Sequence, residues 1–224
     1  MIRFLLLLVC VVSFGFGYSE RNGVYASQSN THPLYEERRN RLLGIYGIYN
    51  LSDSDAELHV AGYESQTHKL SEKQFGFGVQ GGYLLNENHR ILANFEYNLK
   101  KNGFSYQTLT LGYAFTPRVP NTTNWRGLLG VNAGLVKAKF DSGSFVIGDS
   151  SMGSLDFTGF TYGVKAGAIY EMGNSELEFA VSANRLNLGE EEDNIEVNGS
   201  PTNTKLDLGQ TSNISFSVGY NFLF

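Results

Sequence analysis

Beyond residue 20 the sequence has no long apolar run. A bilayer-spanning helix needs about 20 consecutive apolar residues, so this part of the chain does not cross a membrane as helices. Cysteine is nearly absent. The single one, Cys10, lies in an N-terminal apolar stretch, which leaves the rest without a disulfide or a thiolate metal site. Basic charge is not in excess: 17 Lys and Arg face 22 Asp and Glu, for a net charge of -5. With no basic stripe to neutralise phosphates, nucleic-acid binding is excluded. Proline (4) and methionine (3) are sparse.

Glycine (26), phenylalanine (16) and tyrosine (13) are abundant, at a mean hydropathy of -0.20. Apolar residues alternating with polar ones give such an average, as in a sheet with one lipid-facing and one lumen-facing side. The N-terminus has a secretion pattern. Met1-Ile2-Arg3 supplies a positive start, Phe4 to Phe14 an apolar stretch, and Gly15, Gly17 and Ser19 small residues for cleavage after Gly17 or Ser19. Leu7-Leu8-Val9-Cys10 is spelled like a lipoprotein site, but Val9 is bulky and the apolar run continues past Cys10. Residues 1–19 are therefore expected to be a signal peptide and 20–41 a polar periplasmic lead-in, in which Glu36-Glu37-Arg38-Arg39 suits a helical turn. Residues 42–224 then form the folded domain.

Side chains alternate across a strand with period two. The C-terminal segment shows this most clearly. Ile214, Phe216, Val218, Tyr220, Phe222 and Phe224 share one face, and Ser215, Ser217, Gly219 and Asn221 the other. The pattern recurs upstream. Leu42 to Asn50 turns Leu43, Ile45 and Tyr49 outward, and Gln74 to Asn86 sets Phe75, Phe77, Val79, Gly81 and Tyr83 against Gln80. Arg90 to Lys100 sets Ile91, Ala93, Phe95, Tyr97 and Leu99 against Asn94, Glu96 and Asn98. Phe104 to Thr116 and Trp125 to Lys139 follow, the latter with Asn132 inward. In Phe157 to Glu171, Lys165 falls on the inner face; in Glu176 to Leu188, Glu178, Ser182 and Asn184 do. These are eight strands. Asn22 to Gln28 and Glu57 to Glu64, short and poorly apolar, would make ten. In a bilayer every backbone polar group must be paired within the protein, so such a sheet spans only when closed. The expectation is an all-β, antiparallel, up-and-down transmembrane β-barrel of eight strands, with ten as the alternative.

Connections alternate in length. Asn86 to His89, Gly173 to Ser175 and Pro117 to Asn124 are the shorter set; Leu51 to Lys73, Asp141 to Asp156 and Gly189 to Thr211 are long, with Lys101-Asn102-Gly103 a short exception. With periplasmic termini, every long segment falls outside the cell. Tyr83, Tyr97, Tyr113, Trp125, Tyr170 and Tyr220 are expected to form interfacial aromatic belts. Eight strands leave a bore that side chains nearly fill. Its expected polar network comprises Glu96, Lys165, Gln80, Asn94, Asn132, Glu178 and Asn184, with Lys165 paired to Glu96 or another lumen carboxylate.

Given the export signal, the eight alternating segments and the ending Ser-Val-Gly-Tyr-Asn-Phe-Leu-Phe, the sequence resembles the small outer-membrane β-barrel proteins. These include OmpA-type transmembrane domains, OmpX-type barrels and related "porin family" proteins. The resemblance runs roughly from Leu42 to Phe224. It implies a bacterial outer-membrane location and contact with outer-membrane lipid and lipopolysaccharide. It also implies recognition by the barrel-assembly machinery through Phe216, Val218, Tyr220, Phe222 and Phe224. A monomer with a structural or surface-interaction role is expected: envelope integrity, or adhesion to a host or matrix ligand through the external loops. The alternatives are a narrow porin-like diffusion channel and a lipid A-modifying enzyme.

Catalytic signals are weak. His32, His59, His68 and His89 fall in the lead-in, the first long connection and a short turn, none beside a strand serine. The spelling G-x-G-x-x-G at Gly76 to Gly81 sits inside an alternating strand, where no helix follows to bind a phosphate. The acidic run Glu190, Glu191, Glu192, Asp193 and Glu196 lacks the glycine-punctuated spacing of a calcium loop, and Glu196-Val197-Asn198-Gly199-Ser200 resembles a bacterial N-glycosylation acceptor. No enzyme activity, cofactor or metal is expected.

Overall fold

The computed structural model describes residues 40–60, 66–141, 146–147, 150–151, 154–197 and 200–224. Among these there is no helix. Twelve strands follow in chain order: β1 (Arg41–Val60), β2 (Gln66–Leu84), β3 (His89–Lys101), β4 (Phe104–Phe115), β5 (Trp125–Asp141), β6 (Val146–Ile147), β7 (Ser150–Ser151), β8 (Ser154–Met172), β9 (Ser175–Asn187), β10 (Glu190–Val197), β11 (Ser200–Asp207) and β12 (Gln210–Leu223). Eight of them, β1 to β5 with β8, β9 and β12, pair antiparallel with their neighbours. The ring closes because β1 pairs with β2 from Arg41↔Tyr83 to Leu58↔Gln66 and also with β12 from Leu42↔Leu223 to Asp53↔Ser212. No edge is left at that seam, as a hydrocarbon surround requires.

Burial follows the period-two pattern. On β4, β9 and β12 nearly every second residue is buried, and the residues between face out. The outward set is apolar and solvent-accessible, with Ile45 66%, Phe75 66%, Leu111 62% and Val131 56% exposed. In a water-soluble protein an apolar surface this extensive would be a liability; around a closed ring it is a lipid contact. An arginine placed in its middle, Val131→Arg, is expected to destabilise the folded barrel by about 2–4 kcal/mol. Urea titration of the protein refolded into lipid vesicles reads that loss, and the barrel-exterior assignment fails if the variant is as stable as the parent.

The two ends of the barrel differ. At the turn end lie Arg41 and Phe224, whose backbones exchange two hydrogen bonds of 3.0 Å, together with the β2–β3, β4–β5 and β8–β9 connections. At the opposite, extension end the strands run well beyond the apolar band. Glu57–Val60 is not a separate strand but the last part of β1, which pairs there with β11 as well as β2. The stretch 189–211, read from sequence as a loop, is largely the β10–β11 hairpin. The stretch 141–156 holds the small β6–β7 ladder. Apolar alternation stops where lipid stops, whereas backbone pairing continues in water without it. The segments Asn22 to Gln28 and Glu36 to Arg39 lie outside the described residues.

Left-handed backbone occurs at Asn121 (φ 61°) and Gly173 (φ 68°) in the turn-end connections and at two places toward the extension end. Asn102 (φ 48°) and Gly103 (φ 84°) join β3 to β4, the positive pair that a two-residue hairpin turn demands and that Asn-Gly supplies at least strain. Where β9 passes into β10 and β11 into β12, Gly189 (φ 73°) and Gly209 (φ 50°) face each other. Leu188 N donates to Gly209 O at 3.4 Å and Leu208 N to Gly189 O at 3.3 Å, so the strand pair kinks at both glycines.

The lumen as candidate functional site

Side chains fill the bore in layers. At the turn end, Arg90 and Glu176 sit near the starts of β3 and β9 and form a buried two-pronged pair. Arg90 Nη1 donates to Glu176 Oε2 at 2.6 Å and Nη2 to Oε1 at 2.8 Å, while Nε reaches Thr116 Oγ1 at 3.2 Å. Arg126, near the start of β5, ties three elements together. Its Nε donates to Glu171 Oε1 at 2.5 Å, and its Nη1 donates to the carbonyls of Glu87 (2.7 Å) and Thr116 (3.1 Å). One step inward is an apolar layer of Leu42, Leu92, Ala114, Leu128, Ile169 and Ala180.

The middle layer is polar. Lys165 Nζ lies 2.5 Å from Glu178 Oε1, so Glu178 is the carboxylate that pairs with it. Gln80 Nε2 donates to Glu178 Oε2 at 3.1 Å and to Asn221 Oδ1 at 2.5 Å. Glu96 is held by hydroxyls instead: Tyr46 donates to Oε1 at 3.2 Å and Thr108 to Oε2 at 3.4 Å. The Lys165 ammonium lies 5.7 Å from the centre of the Tyr46 ring. Gly78 makes room for that ring, since a Cβ there would collide with it. Asn132 Nδ2 donates to Asn184 Oδ1 at 3.4 Å. Asn94 lines a cavity of about 30 Å³ shared with Glu96, Lys165, Asn132, Thr110 and Ser182. That volume holds about two water molecules, which would serve the otherwise unpartnered Asn94 Oδ1. Above it Asn213 donates to Asn50 Oδ1 at 3.1 Å and to the Tyr106 hydroxyl at 2.8 Å, and Asn50 donates to Asn98.

A second apolar layer closes the extension end. Phe104, Tyr106, Val136, Ala138, Phe140, Leu155, Phe157, Leu186, Leu188 and Leu208 form one buried cluster, and Phe140 and Phe157 are no more than 1% exposed. The polar chamber is thus enclosed between two apolar layers.

The residues expected in the lumen, Gln80, Asn94, Glu96, Asn132, Lys165, Glu178 and Asn184, all point inward and share this middle layer. Tyr46, Tyr106, Arg90, Glu176 and Arg126 escaped the sequence reading. Tyr46 and Tyr106 are aromatic and were not looked for on a polar face; Arg90, Arg126 and Glu176 sit at strand starts, where charge reads as a boundary. Strand parity was the signal that would have found all five. The terminal residues Phe216, Val218, Tyr220, Phe222 and Phe224 face outward on or just after β12, each between 38% and 54% exposed. Tyr83, Tyr113 and Trp125 are exposed on the outer wall at the turn end, where Tyr170 packs against Trp125 with ring centres 5.0 Å apart. Tyr97 instead packs on Phe77 toward the extension end. His89, the histidine whose side chain is described, hydrogen-bonds Tyr113 at the turn end. Among the described residues no group of three His, Cys, Asp or Glu side chains is placed to hold a metal ion.

Residues 26–222 match the family model described as the outer membrane protein beta-barrel domain. No curated protein gives a significant sequence match. Among solved structures, the chain resembles Neisserial surface protein A at 15% identity and a TM-score of 0.55, covering 82% of this chain and 97% of that one. It also resembles the outer membrane protein OprG from Pseudomonas aeruginosa at 14% identity and a TM-score of 0.54, covering 83% and 96%. At these identities the likeness is one of fold.

Proposed function

Because the chain belongs to the outer membrane protein beta-barrel domain family, we propose that it is a non-conducting, non-catalytic barrel whose task is to hold a β-rich extension at the cell surface. The observation that carries this reading is the layered lumen: two apolar layers enclose the polar chamber, and Lys165 is paired within it. A channel needs a continuous wet path. Here the void between the layers, lined by Asn94, Glu96 and Lys165, holds about two water molecules. The strands meanwhile continue past the lipid band into β10–β11 and the tips of β1 and β2. Rigid scaffolds carrying extended connections at one end are where binding resides.

In this reading the chain reaches the outer membrane by signal-peptide-dependent export, is inserted by the barrel-assembly machinery and remains a monomer. Arg41 and Phe224 face the periplasm and the extension end faces outward. An adhesive or envelope-supporting role follows from that orientation. Purified protein in planar bilayers is expected to leave the membrane insulating; discrete single-channel steps would replace this reading with the diffusion-channel one. Protease added to intact cells is expected to cut within residues 189–211. Protection there, with cutting after outer-membrane permeabilisation, would reverse the orientation.

A further inference from the structure

The sequence contains three Asn-Gly pairs, Asn22–Gly23, Asn102–Gly103 and Asn198–Gly199. Of these, Asn102–Gly103 lies within the described residues, in the turn between β3 and β4. Asparagine loses its side-chain amide most readily before glycine, which has no Cβ to shield its own backbone nitrogen. Asn102 is exposed to water, yet its amide is not free.

The β2–β3 ladder ends at Gly76↔Asn98, and the β3–β4 register is irregular between Asn98 and Lys101. Beyond Asn98 the tip of the β3–β4 hairpin has left the backbone ladder of β2, while β2 runs on with β1 to Leu58↔Gln66. Side chains span the seam instead. Asn102 Nδ2 donates to both carboxylate oxygens of Glu72 on β2, at 2.9 and 3.0 Å, and Gln74 Nε2 donates to the Phe104 carbonyl at 2.9 Å. Glu72 is only 9% exposed. With Asn102 it walls a void of about 10 Å³ beside Ser52, Thr211, Phe104 and Phe140, room for one water molecule. Phe104 and Phe140 belong to the apolar layer that closes the extension end, so the clasp adjoins that layer.

We propose that Asn102–Gly103 is a site of enzyme-independent deamidation, that the Glu72 clasp holds the reaction back in the folded barrel, and that the product opens the seam between β2 and the β3–β4 tip. The Gly103 backbone nitrogen attacks Asn102 Cγ. The new N–Cγ bond forms, the Cγ–Nδ2 bond breaks, and ammonia leaves with the proton from Gly103. Water then opens the cyclic imide at either carbonyl, leaving aspartate or isoaspartate in place of Asn102. Ring closure needs the Asn102 side chain to swing over the Gly103 nitrogen. Two features oppose that swing: the paired positive φ angles fix the turn, and Glu72 holds Nδ2 toward β2. After conversion the donor is gone. A carboxylate stands where the amide met Glu72, and two like charges at a buried site repel. Because no enzyme is needed, the fraction converted records the time a chain has spent with this turn open.

The test incubates the purified barrel in detergent at mildly alkaline pH, followed by peptide mass spectrometry that separates asparagine, aspartate and isoaspartate. In chain unfolded by boiling in urea, Asn102 is expected to convert at the pace of Asn198, read in the same digest. In the folded parent it should convert far more slowly. Glu72→Ala is expected to raise the folded rate about tenfold, the worth of a hydrogen bond to a charged group. Asn102→Asp stands in for the product. Proteinase K should cut that folded variant within residues 100–104 about tenfold faster than the parent, and adding Glu72→Gln should restore resistance. Asp-Gly suits the same turn as Asn-Gly, so this difference reads the clasp and not the hairpin. Equal conversion in the folded parent and Glu72→Ala, equal conversion in folded and unfolded parent, or an Asn102→Asp barrel as resistant as the parent would each overturn the proposal. The boiled-against-unboiled gel shift shows that each variant is folded, and the folded-against-unfolded comparison uses the parent alone.

Discussion

Replacing Lys165 by methionine is expected to cost the barrel about 3–5 kcal/mol, the usual loss when one partner of a buried ion pair is removed. The chamber it occupies already holds two carboxylates, Glu178 at 2.5 Å and Glu96 across the Tyr46 ring. Without the ammonium, both remain in a closed space with no cation. Methionine keeps most of the length of the lysine stem, so the measured effect reports charge more than a cavity. Pairing the change with Glu178→Gln should recover most of the loss, since the amide keeps the size of the carboxylate, and with it the neighbourhood of Gln80 and Asn221, without the charge. Urea unfolding in vesicles followed by Trp125 fluorescence gives all the required stabilities. A single variant as stable as the parent, or a double variant no better than the single, would show that the pair does not govern the lumen.

The second large effect belongs to Arg90. Its guanidinium is 2% exposed and lies against a Glu176 side chain that is 1% exposed, through two parallel hydrogen bonds. Arg90→Met is again expected to lose about 3–5 kcal/mol. Arg90→Lys should lose less but still measurably, because a single ammonium cannot fill both carboxylate oxygens and also reach Thr116. The Arg90→Met, Glu176→Met double variant should return close to the parent, since well-packed apolar side chains often replace a buried pair without loss. Additive losses in the double variant would mean that the two residues act separately, contrary to their geometry.

Legibility along the chain followed the physics of each region. On β12, alternation from Ile214 to Phe224 placed every outward residue correctly, because hydrocarbon on one side and a packed bore on the other leave no freedom in parity. The eight-strand count was legible for the same reason. The lengths of β1 and β2 were not. Past Leu51 and before Gln74 the residues have no apolar face to mark a strand, yet the backbone ladder continues to Leu58↔Gln66. The lumen was half legible: its members could be named from parity, but Lys165 had more than one carboxylate within its reach. Arg90 and Glu176, 86 residues apart, were hidden because charge at the first turn of a strand looks like its end.

The order of apolar and polar residues along the chain determined that this protein closes into an eight-stranded ring facing lipid, because only that arrangement pairs every backbone group while burying alternate side chains. Which inward residue meets which was decided by the three-dimensional stagger of the strands. The β8–β9 register sets Lys165 opposite Ser182, from where its long side chain reaches along β9 to Glu178, and the barrel's stagger brings the starts of β3 and β9 close enough for Arg90 to clasp Glu176. No period within a single strand encodes a distance across the bore.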